Sequence, residues 1–179
     1  MDALTKIGKQ ALRELLSKGW MTHDAMWLYH CLQECGMEKA NRINKAAVES
    51  MSQIEILRMK KALGKGDDDV SSFEDLAELV TAAMDLVKAD FMKFEWSIPK
   101  HNILQWKWKD RECFAYEGIK KLGVIDQYDC GIMTRIEGWF KGLGIAYTID
   151  PPVNGCMMHE KGACSGRFEF HLKKRGGKS

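Results

Sequence analysis

The sequence predicts an α+β fold in which N-terminal helices pack on a four-stranded antiparallel sheet with ββααββ order. Through residues 4–87 apolar side chains recur mostly at three- and four-residue steps, which is typical of amphipathic helices. Two pairs of short segments then alternate apolar and polar residues, as half-buried strands do. Two helical segments separate the pairs, so helices and strands are segregated along the chain as in α+β domains.

Glycines and caps set the predicted bounds of the first three helices. The first covers residues 2–18 and ends at Gly19. The second begins after Thr22, a suitable N-cap, and ends at Gly36, because glycine suits the left-handed position past a helix end. The third continues the helical period over residues 37–63.

A linker is predicted at Gly64-Lys65-Gly66-Asp67-Asp68-Asp69, because glycine and like charges favour solvated, irregular backbone. It separates an N-terminal helical region, residues 1–66, from an α+β small-molecule-binding domain, residues 67–173. Directly after it, Ser71 and Ser72 with Glu74 and Asp75 predict a capping box that opens the fourth helix. The basic, glycine-rich residues 174–179 predict a disordered tail.

The predicted sheet comes from two regions. Residues 92–98 and 104–108 form a hairpin, and residues 145–149 and 168–172 supply the other two strands. Between them, helices over residues 112–122 and 128–143 each end at a glycine. One face of the sheet is expected to carry charged residues and the other to be covered by helices. The rings predicted on the covered face are Trp96, Trp106, Trp108, Tyr147, Phe168 and Phe170.

Composition restricts the classes of function. Lys and Arg total 27 against 25 Asp and Glu, a net charge of +2 that offers no strong field for nucleic acid or an anionic membrane. No stretch approaches the roughly 18 apolar residues of a membrane span. The N-terminus shows no apolar leader segment, which predicts a cytoplasmic protein. In that compartment the six cysteines are expected to be reduced.

The strongest local motif is C-x2-H-x4-C, formed by Cys156, His159 and Cys164 in a predicted loop over residues 150–166 with no element of its own. Two thiols and an imidazole at this spacing suit a tetrahedral metal, and the candidate fourth ligand is Cys130, with Cys113 or a water molecule of a catalytic site as the alternatives. The sequence therefore suggests a soft-metal site, with zinc as the favoured ion. The alternative is a group of reduced cysteines packed under a loop.

Cys113 and Cys130 lie near the starts of two predicted helices. The positive end of a helix lowers a thiol pKa, so either residue is a candidate nucleophile with His159 as its base. The candidate catalytic set is thus Cys113, Cys130 and His159. Small buried hydrophobes are the competing interpretation for both thiols.

His23, Trp27 and His30 share one face of the second predicted helix, and with Trp96, Trp106 and Trp108 they form the candidate ligand pocket. Packing within the core is the alternative for these rings. We expect this helix face to approach the covered side of the sheet, since a free-standing arm would expose four apolar residues. These are Leu28, Ile43, Ile54 and Leu57. If residues 20–63 pack on a second chain instead, the protein is a homodimer.

The C-terminal half resembles the L-2-amino-thiazoline-4-carboxylic acid hydrolase family and the 4-vinyl reductase-like small-molecule-binding domains. The resemblance rests on Glu112-Cys113, Gly123, Cys130, Gly162-x-Cys164 and Phe168-Glu169-Phe170. Residues 19–27 and 38–44 resemble an uncharacterised bacterial and archaeal family of cytosolic proteins, which implies no activity. The hydrolase resemblance is incomplete, because Ser165-Gly166-Arg167 separates Cys164 from Phe168.

Two functions remain open from the sequence. The first is a small-molecule-binding domain with an aromatic pocket and a Cys/His cluster for a metal. The alternative, implied by the resemblance, is a hydrolase of a small cyclic or amide-like C–N bond that uses the cysteines. Whether the protein is an enzyme stays open at this level.

Overall fold

The computed structural model describes residues 6–66 and 70–172. The predicted tail, residues 174–179, and the middle of the predicted linker lie outside this range. The α+β class and the antiparallel sheet are confirmed, with strand order β1-β2-β4-β3. The elements are α1 (Lys9–Ala62), α2 (Phe73–Val87), β1 (Phe94–Lys100), β2 (Ile103–Trp108), α3 (Phe114–Lys121), a 3-10 turn (Ile125–Gln127), α4 (Gly131–Gly142), β3 (Ala146–Asp150), α5 (Met157–Lys161) and β4 (Ser165–His171).

Helix α1 replaces the three predicted N-terminal helices. It passes through Gly19 without interruption, because a glycine inside a helix costs only about 1 kcal/mol relative to alanine and does not block the hydrogen-bond ladder. Thr22 is accordingly helical rather than a cap. The predicted break at Gly36 is confirmed, since its backbone adopts φ 77° and ψ 165°. We call residues 9–35 the first arm and residues 37–62 the second arm.

The second arm packs closely against α4 through a glycine surface. A Cβ added to Gly138 would lie 1.8 Å from Ser52 Oγ, and one added to Gly142 would lie 2.9 Å from the Gln53 backbone. The two helix backbones therefore approach at a distance that only glycine allows. Ser52 and Ile56 are fully buried at this contact.

The sheet has the predicted two faces. Trp106, Trp108, Phe168 and Phe170 are buried on the helix-covered face, with Trp96 and Tyr147 half-buried beside them. The register pairs Trp106 with Gly166, and the Trp106 ring lies so close that a Cβ at Gly166 would be 2.4 Å from it. Alternate residues on the other face, among them the charged side chains of Glu95, Lys107, Arg167 and Glu169, are exposed as expected.

The segment over residues 150–166 was expected to lack an element of its own, and this expectation is wrong. It contains the five-residue helix α5, so the chain order after α4 is β, α, β and not ββ. Cys156 is the N-cap of α5, and Gly162 ends it in the left-handed conformation with φ 72°. This short turn of helix sets the directions of the predicted metal ligands.

Three of the four apolar residues expected to be covered are exposed. Leu28 is buried, whereas Ile43, Ile54 and Leu57 are 41%, 51% and 49% exposed. They lie on the side of the second arm that faces away from α4. Within the described residues, no helix combines the length and the apolar character needed to cross a membrane.

Candidate ligand cavity and cysteine cluster

A cavity of about 610 Å³ lies between the first arm and the rest of the domain. We call it the arm cavity. The first arm borders it on one side, and α2, α3 and α4 border it on the others. Its volume falls within the range of about 300–1,000 Å³ that is usual for small-molecule sites.

Aromatic and aliphatic side chains dominate the wall of the arm cavity. Met21 and Leu28 come from the first arm, and Ile132 and Ile136 from successive turns of α4. Because the side chains at positions 132, 136 and 139 are spaced by four and three residues, α4 presents one continuous stripe to this space. The rings that line the cavity are Trp20, Phe91, Phe94, Trp108, Phe114, Tyr128 and Trp139.

Arg135 is the charged residue that α4 contributes to the wall, and its charge is satisfied inside the protein. Its guanidinium makes a bidentate ion pair with Glu55, with N–O distances of 2.9 and 2.5 Å. Glu55 also accepts a hydrogen bond of 2.8 Å from the Trp139 indole. The guanidinium lies over the Trp20 ring, 4.4 Å from its centroid, and so connects the first arm to α4.

The histidines and tryptophan predicted for the pocket do not border this cavity. His23 and His30 are exposed, and Trp27 is 57% exposed. His23 pairs with Asp24 and stacks on Trp27 on the outer side of the first arm. The expectation that they face the sheet is wrong, because the opposite face of the same helix, which carries Leu28, turns inward.

Of the three sheet tryptophans in the predicted pocket, the structure places one at the arm cavity. Trp108 contributes to its wall and contacts Phe94 and Phe114 edge-on or at a tilt. Trp106 is packed against Phe168 within the core, with ring centroids 5.0 Å apart. Trp96 is half-buried near the edge of the sheet.

Four cysteines that were predicted to gather at one site lie within electrostatic range of one another. Each of the thiols of Cys113, Cys130, Cys156 and Cys164 interacts electrostatically with the other three. Two close approaches bring their segments together: the Arg111 side chain donates from Nε to the Gly162 carbonyl at 3.1 Å, and a Cβ added to Gly155 would lie 3.7 Å from the Tyr128 carbonyl oxygen. We call these four residues the cysteine cluster.

The buried Asn41 of the second arm holds the segment that leads into Cys130. Its amide donates to the Gln127 carbonyl at 2.5 Å, and its side-chain oxygen accepts from the Asp129 N–H at 3.2 Å. Lys45 pairs with the Asp129 carboxylate at 3.5 Å. The position of Cys130 therefore depends on a residue almost 90 positions earlier in the sequence.

Burial keeps the clustered thiols protonated. It raises the pKa of Cys113, Cys130 and Cys164 to about 12, and it also raises the pKa of Cys156. Nearby backbone N–H groups act in the opposite direction on Cys113, Cys130 and Cys156, which are the N-caps of α3, α4 and α5, although none makes a capping hydrogen bond of standard geometry. Desolvation outweighs the helix N-termini, so these are not activated nucleophiles as they stand.

The His159 side chain is directed toward a carboxylate and not toward the thiols. Its Nε2 is 2.7 Å from Asp126 Oδ1, on a side chain that is 37% exposed. The third residue of α5 therefore faces the 3-10 turn at Ile125–Gln127. Across the described parts of the chain, no three His, Cys, Asp or Glu side chains are arranged to hold a metal ion as they stand.

The sequence interpretation missed most of the cavity wall. Trp20, Phe114 and Trp139 come from three helices and Phe91 from the loop that follows α2, and no local motif joins them. The available signal was on α4, where Arg135 and Trp139 are one turn apart beside the apolar residues at 132 and 136. That stripe indicates a buried face but does not show which residues lie across from it.

No protein-family model, curated protein or solved structure matches this chain. The resemblance to the thiazoline hydrolases and to the 4-vinyl reductase-like domains therefore stays a prediction. What can be proposed about function depends on the arm cavity and the cysteine cluster.

Proposed function

We propose that the protein binds an apolar, ring-containing small molecule in the arm cavity. The observation that carries this proposal is the cavity itself, which combines about 610 Å³ of space with a wall built mainly from rings and aliphatic side chains. Aromatic walls favour flat apolar ligands through ring stacking and edge contacts. A ligand of this class removes the apolar wall from water without requiring a new charge partner.

The polar groups at the wall favour a neutral ligand. Arg135 already forms two hydrogen bonds with Glu55, and the Trp139 indole donates to the same carboxylate. A ligand carboxylate would compete with Glu55 for this guanidinium and leave a half-buried acid without its partner, which is costly. A neutral aromatic or heteroaromatic compound leaves this network intact.

Binding is favoured over hydrolysis by the state of the thiols. A cysteine nucleophile attacks as the thiolate, and a thiol pKa of about 12 leaves almost none of it at neutral pH. The proposed base, His159, is paired with Asp126. The catalytic roles predicted for Cys113, Cys130 and His159 therefore lack the activation that such chemistry needs.

The test uses Nile red, a neutral aromatic dye whose fluorescence increases in apolar surroundings. We expect saturable binding by the wild-type chain. The Ala115→Leu variant adds three carbons to a residue that lines the cavity on α3, and we expect it to weaken dye binding at least about 10-fold, a change of roughly 1.4 kcal/mol. Ala146→Leu is the control: it makes the same change at an exposed position of β3, away from the cavity, and should leave dye binding unchanged.

Equal affinity in both variants, with the wild-type fold retained by circular dichroism, would place the dye elsewhere and contradict the proposal. Failure of the wild-type chain to bind Nile red would contradict it directly. A second cavity variant, Ala25→Leu on the first arm, approaches the same space from the opposite wall. It is expected to weaken binding as well, so the result does not depend on how α3 tolerates one substitution.

A further inference from the structure

Three helices begin at the cysteine cluster. Cys113, Cys130 and Cys156 are the N-cap residues of α3, α4 and α5, and the fourth thiol, Cys164, comes from the segment just before β4. The Cys164 carbonyl accepts a hydrogen bond of 2.9 Å from the Trp108 N–H, which fixes its backbone to the end of β2. Four separate chain segments thus deliver one thiol each to a common place.

The surroundings of the cluster suit negative charge. Helix N-termini carry partial positive charge and unpaired N–H groups, and Cys113 and Cys130 lie at the N-termini of α3 and α4. Buried apolar residues surround the cluster, and Cys113 is itself only 7% exposed. Thiolate ligands would place negative charge where these helix ends are positive.

A buried donor adds an independent indication. Trp106 is 2% exposed, and its indole N–H has no hydrogen-bond partner of standard geometry among the described residues. It nevertheless lies near enough to the Cys164 thiol to favour the thiolate form. A buried N–H without a good acceptor costs free energy, and a sulfur that carries negative charge would satisfy it.

We propose that the cysteine cluster binds one zinc ion through four thiolates. Binding converts four thiols and Zn²⁺ into a tetrathiolate complex with a net charge of −2 and releases four protons. The positive helix N-termini and the Trp106 indole N–H then lie beside the negative charge of the tetrathiolate complex. Four sulfurs around one ion is the common arrangement of structural zinc sites, at Zn–S distances of about 2.3 Å.

This ligand set differs from the one that the C-x2-H-x4-C motif suggests. Cys113 takes the place of His159, because His159 points to Asp126 while Cys113 interacts with the other three thiols. The side chains do not form a ready ligand set as they stand, so metal binding requires the thiols to rotate about their Cα–Cβ bonds. The Arg111 side chain already joins its segment to Gly162 by a hydrogen bond, and the backbone at Gly155 lies close to the Tyr128 carbonyl.

The test replaces zinc with Co²⁺, whose absorption reports its ligands. Reduced protein, purified after treatment with a chelator and transferred to chelator-free buffer, is titrated with Co²⁺ and then with Zn²⁺. We expect one equivalent of Co²⁺ to bind with tetrahedral ligand-field bands and strong sulfur-to-cobalt charge transfer. The binding of Co²⁺ should release protons, and one equivalent of Zn²⁺ should then abolish both features by displacing the cobalt. Because charge-transfer intensity increases with the number of Co–S bonds, the wild-type spectrum alone separates four sulfurs from three sulfurs and an imidazole.

Variants identify the ligands independently. Cys113→Ser is expected to reduce the charge-transfer band and weaken cobalt binding at least about 10-fold, in line with losing a direct ligand. His159→Ala and Cys35→Ser, which change a motif histidine and a cysteine outside the cluster, should leave the spectrum unchanged. Wild-type protein with titratable thiols and no cobalt absorption would overturn the proposal, and so would a spectrum lost in His159→Ala but kept in Cys113→Ser. The cobalt experiment is independent of Nile red binding, so either proposal can fail alone.

Discussion

The two arms of α1 belong to the same helix but have opposite environments. In the first arm, residues 9–35, Leu28 is the one buried side chain, whereas the second arm buries seven, including Ala40, Ser52 and Ile56. The second arm contacts α4 backbone to backbone through glycine. The first arm is held by side chains at its surface: Gln10 binds Asp90 at 2.6 Å, and Arg13 donates to the Asp85 carbonyl at 2.7 Å.

This difference separates two kinds of packing within one helix. The second arm packs backbone to backbone on α4 and is a part of the core, although its residues Asn44, Val48 and Met51 also line the arm cavity. The first arm is held by polar contacts at its surface, and these leave space between the arm and the rest of the domain. The first arm therefore covers the arm cavity without filling it. Local opening is expected to be easiest where few apolar contacts are made, so we expect the first arm to open more readily than the second arm.

The largest expected effect is at the contact between the second arm and α4. Gly138→Val places a branched side chain where even a Cβ would be 1.8 Å from Ser52 Oγ. We expect the free energy of unfolding to fall by at least about 3 kcal/mol, the upper end of the usual cost of overpacking. Urea denaturation measures it. The control is Gly118→Val on α3, where no atom lies within 4 Å of the added Cβ, and the expected change is below about 0.5 kcal/mol.

A smaller effect is expected at the junction of the arms. Gly36→Ala forces a side chain onto φ 77° and ψ 165°, a conformation that costs about 1–3 kcal/mol for residues other than glycine. Gly19→Ala is the matched substitution within regular helix and should stabilise the protein by about 0.4–1 kcal/mol. Thermal unfolding compares the two variants. Equal effects of the same sign would show that α1 is one continuous helix in solution and that the division into arms has no energetic meaning.

The N-cap of α2, the helix beside the first arm, is expected to contribute about 1 kcal/mol to the free energy of unfolding. Ser72 caps α2 by accepting from the Asp75 N–H at 3.1 Å, and the Asp75 carboxylate accepts from the Ser72 N–H at 2.9 Å. Ser72→Ala should lower stability by roughly 1 kcal/mol. Hydrogen exchange should show faster opening in α2 and the first arm and little change in the second arm. Uniform acceleration across both arms would mean that they open as one unit.

The smallest effect expected is a dependence on pH in the same cap. Hydrogen bonds from Ser72 and Ser71 lower the pKa of Asp75 from 3.8 to about 2. A depressed carboxyl pKa stabilises the fold above the unfolded value, so this contribution is complete above pH 4 and is lost as the pH falls to about 2. Asp75→Asn should therefore reduce the decline in melting temperature over this interval. Glu169→Gln, on the exposed face of the sheet, removes one carboxyl group and should reduce the decline less.

Local chemistry accounts for the parts of the fold that the sequence predicts well. Strand alternation places Trp106, Trp108, Phe168 and Phe170 on the correct face, because side-chain direction along a strand has a period of two. The capping box at Ser72 is confirmed in both of its hydrogen bonds. Gly19 and Gly36 are indistinguishable as residues, and only the surrounding structure determines that one is helical and the other is not.

The candidate site was predictable only where its residues are close in sequence. Cys156 and Cys164 belong to one spaced motif, whereas Cys130 and Cys113 lie far from it in sequence and were only candidates to join it. The direction of His159 depended on α5, a five-residue helix too short to give a clear periodic signal. The arm cavity depended on contacts across some 80 positions, such as Glu55 with Arg135, and no pattern within a window of sequence encodes them.

The contact between the second arm and α4 also has a consequence for biosynthesis. The partner of Glu55 is residue 135, so the second arm emerges from the ribosome before the helix that covers it has been made. At roughly 5–20 residues per second this interval lasts about 4–16 s. During that time Ile56 and Met59, buried in the finished protein, have no native partner on α4. We therefore expect the nascent chain to expose the apolar face of the second arm until translation passes α4.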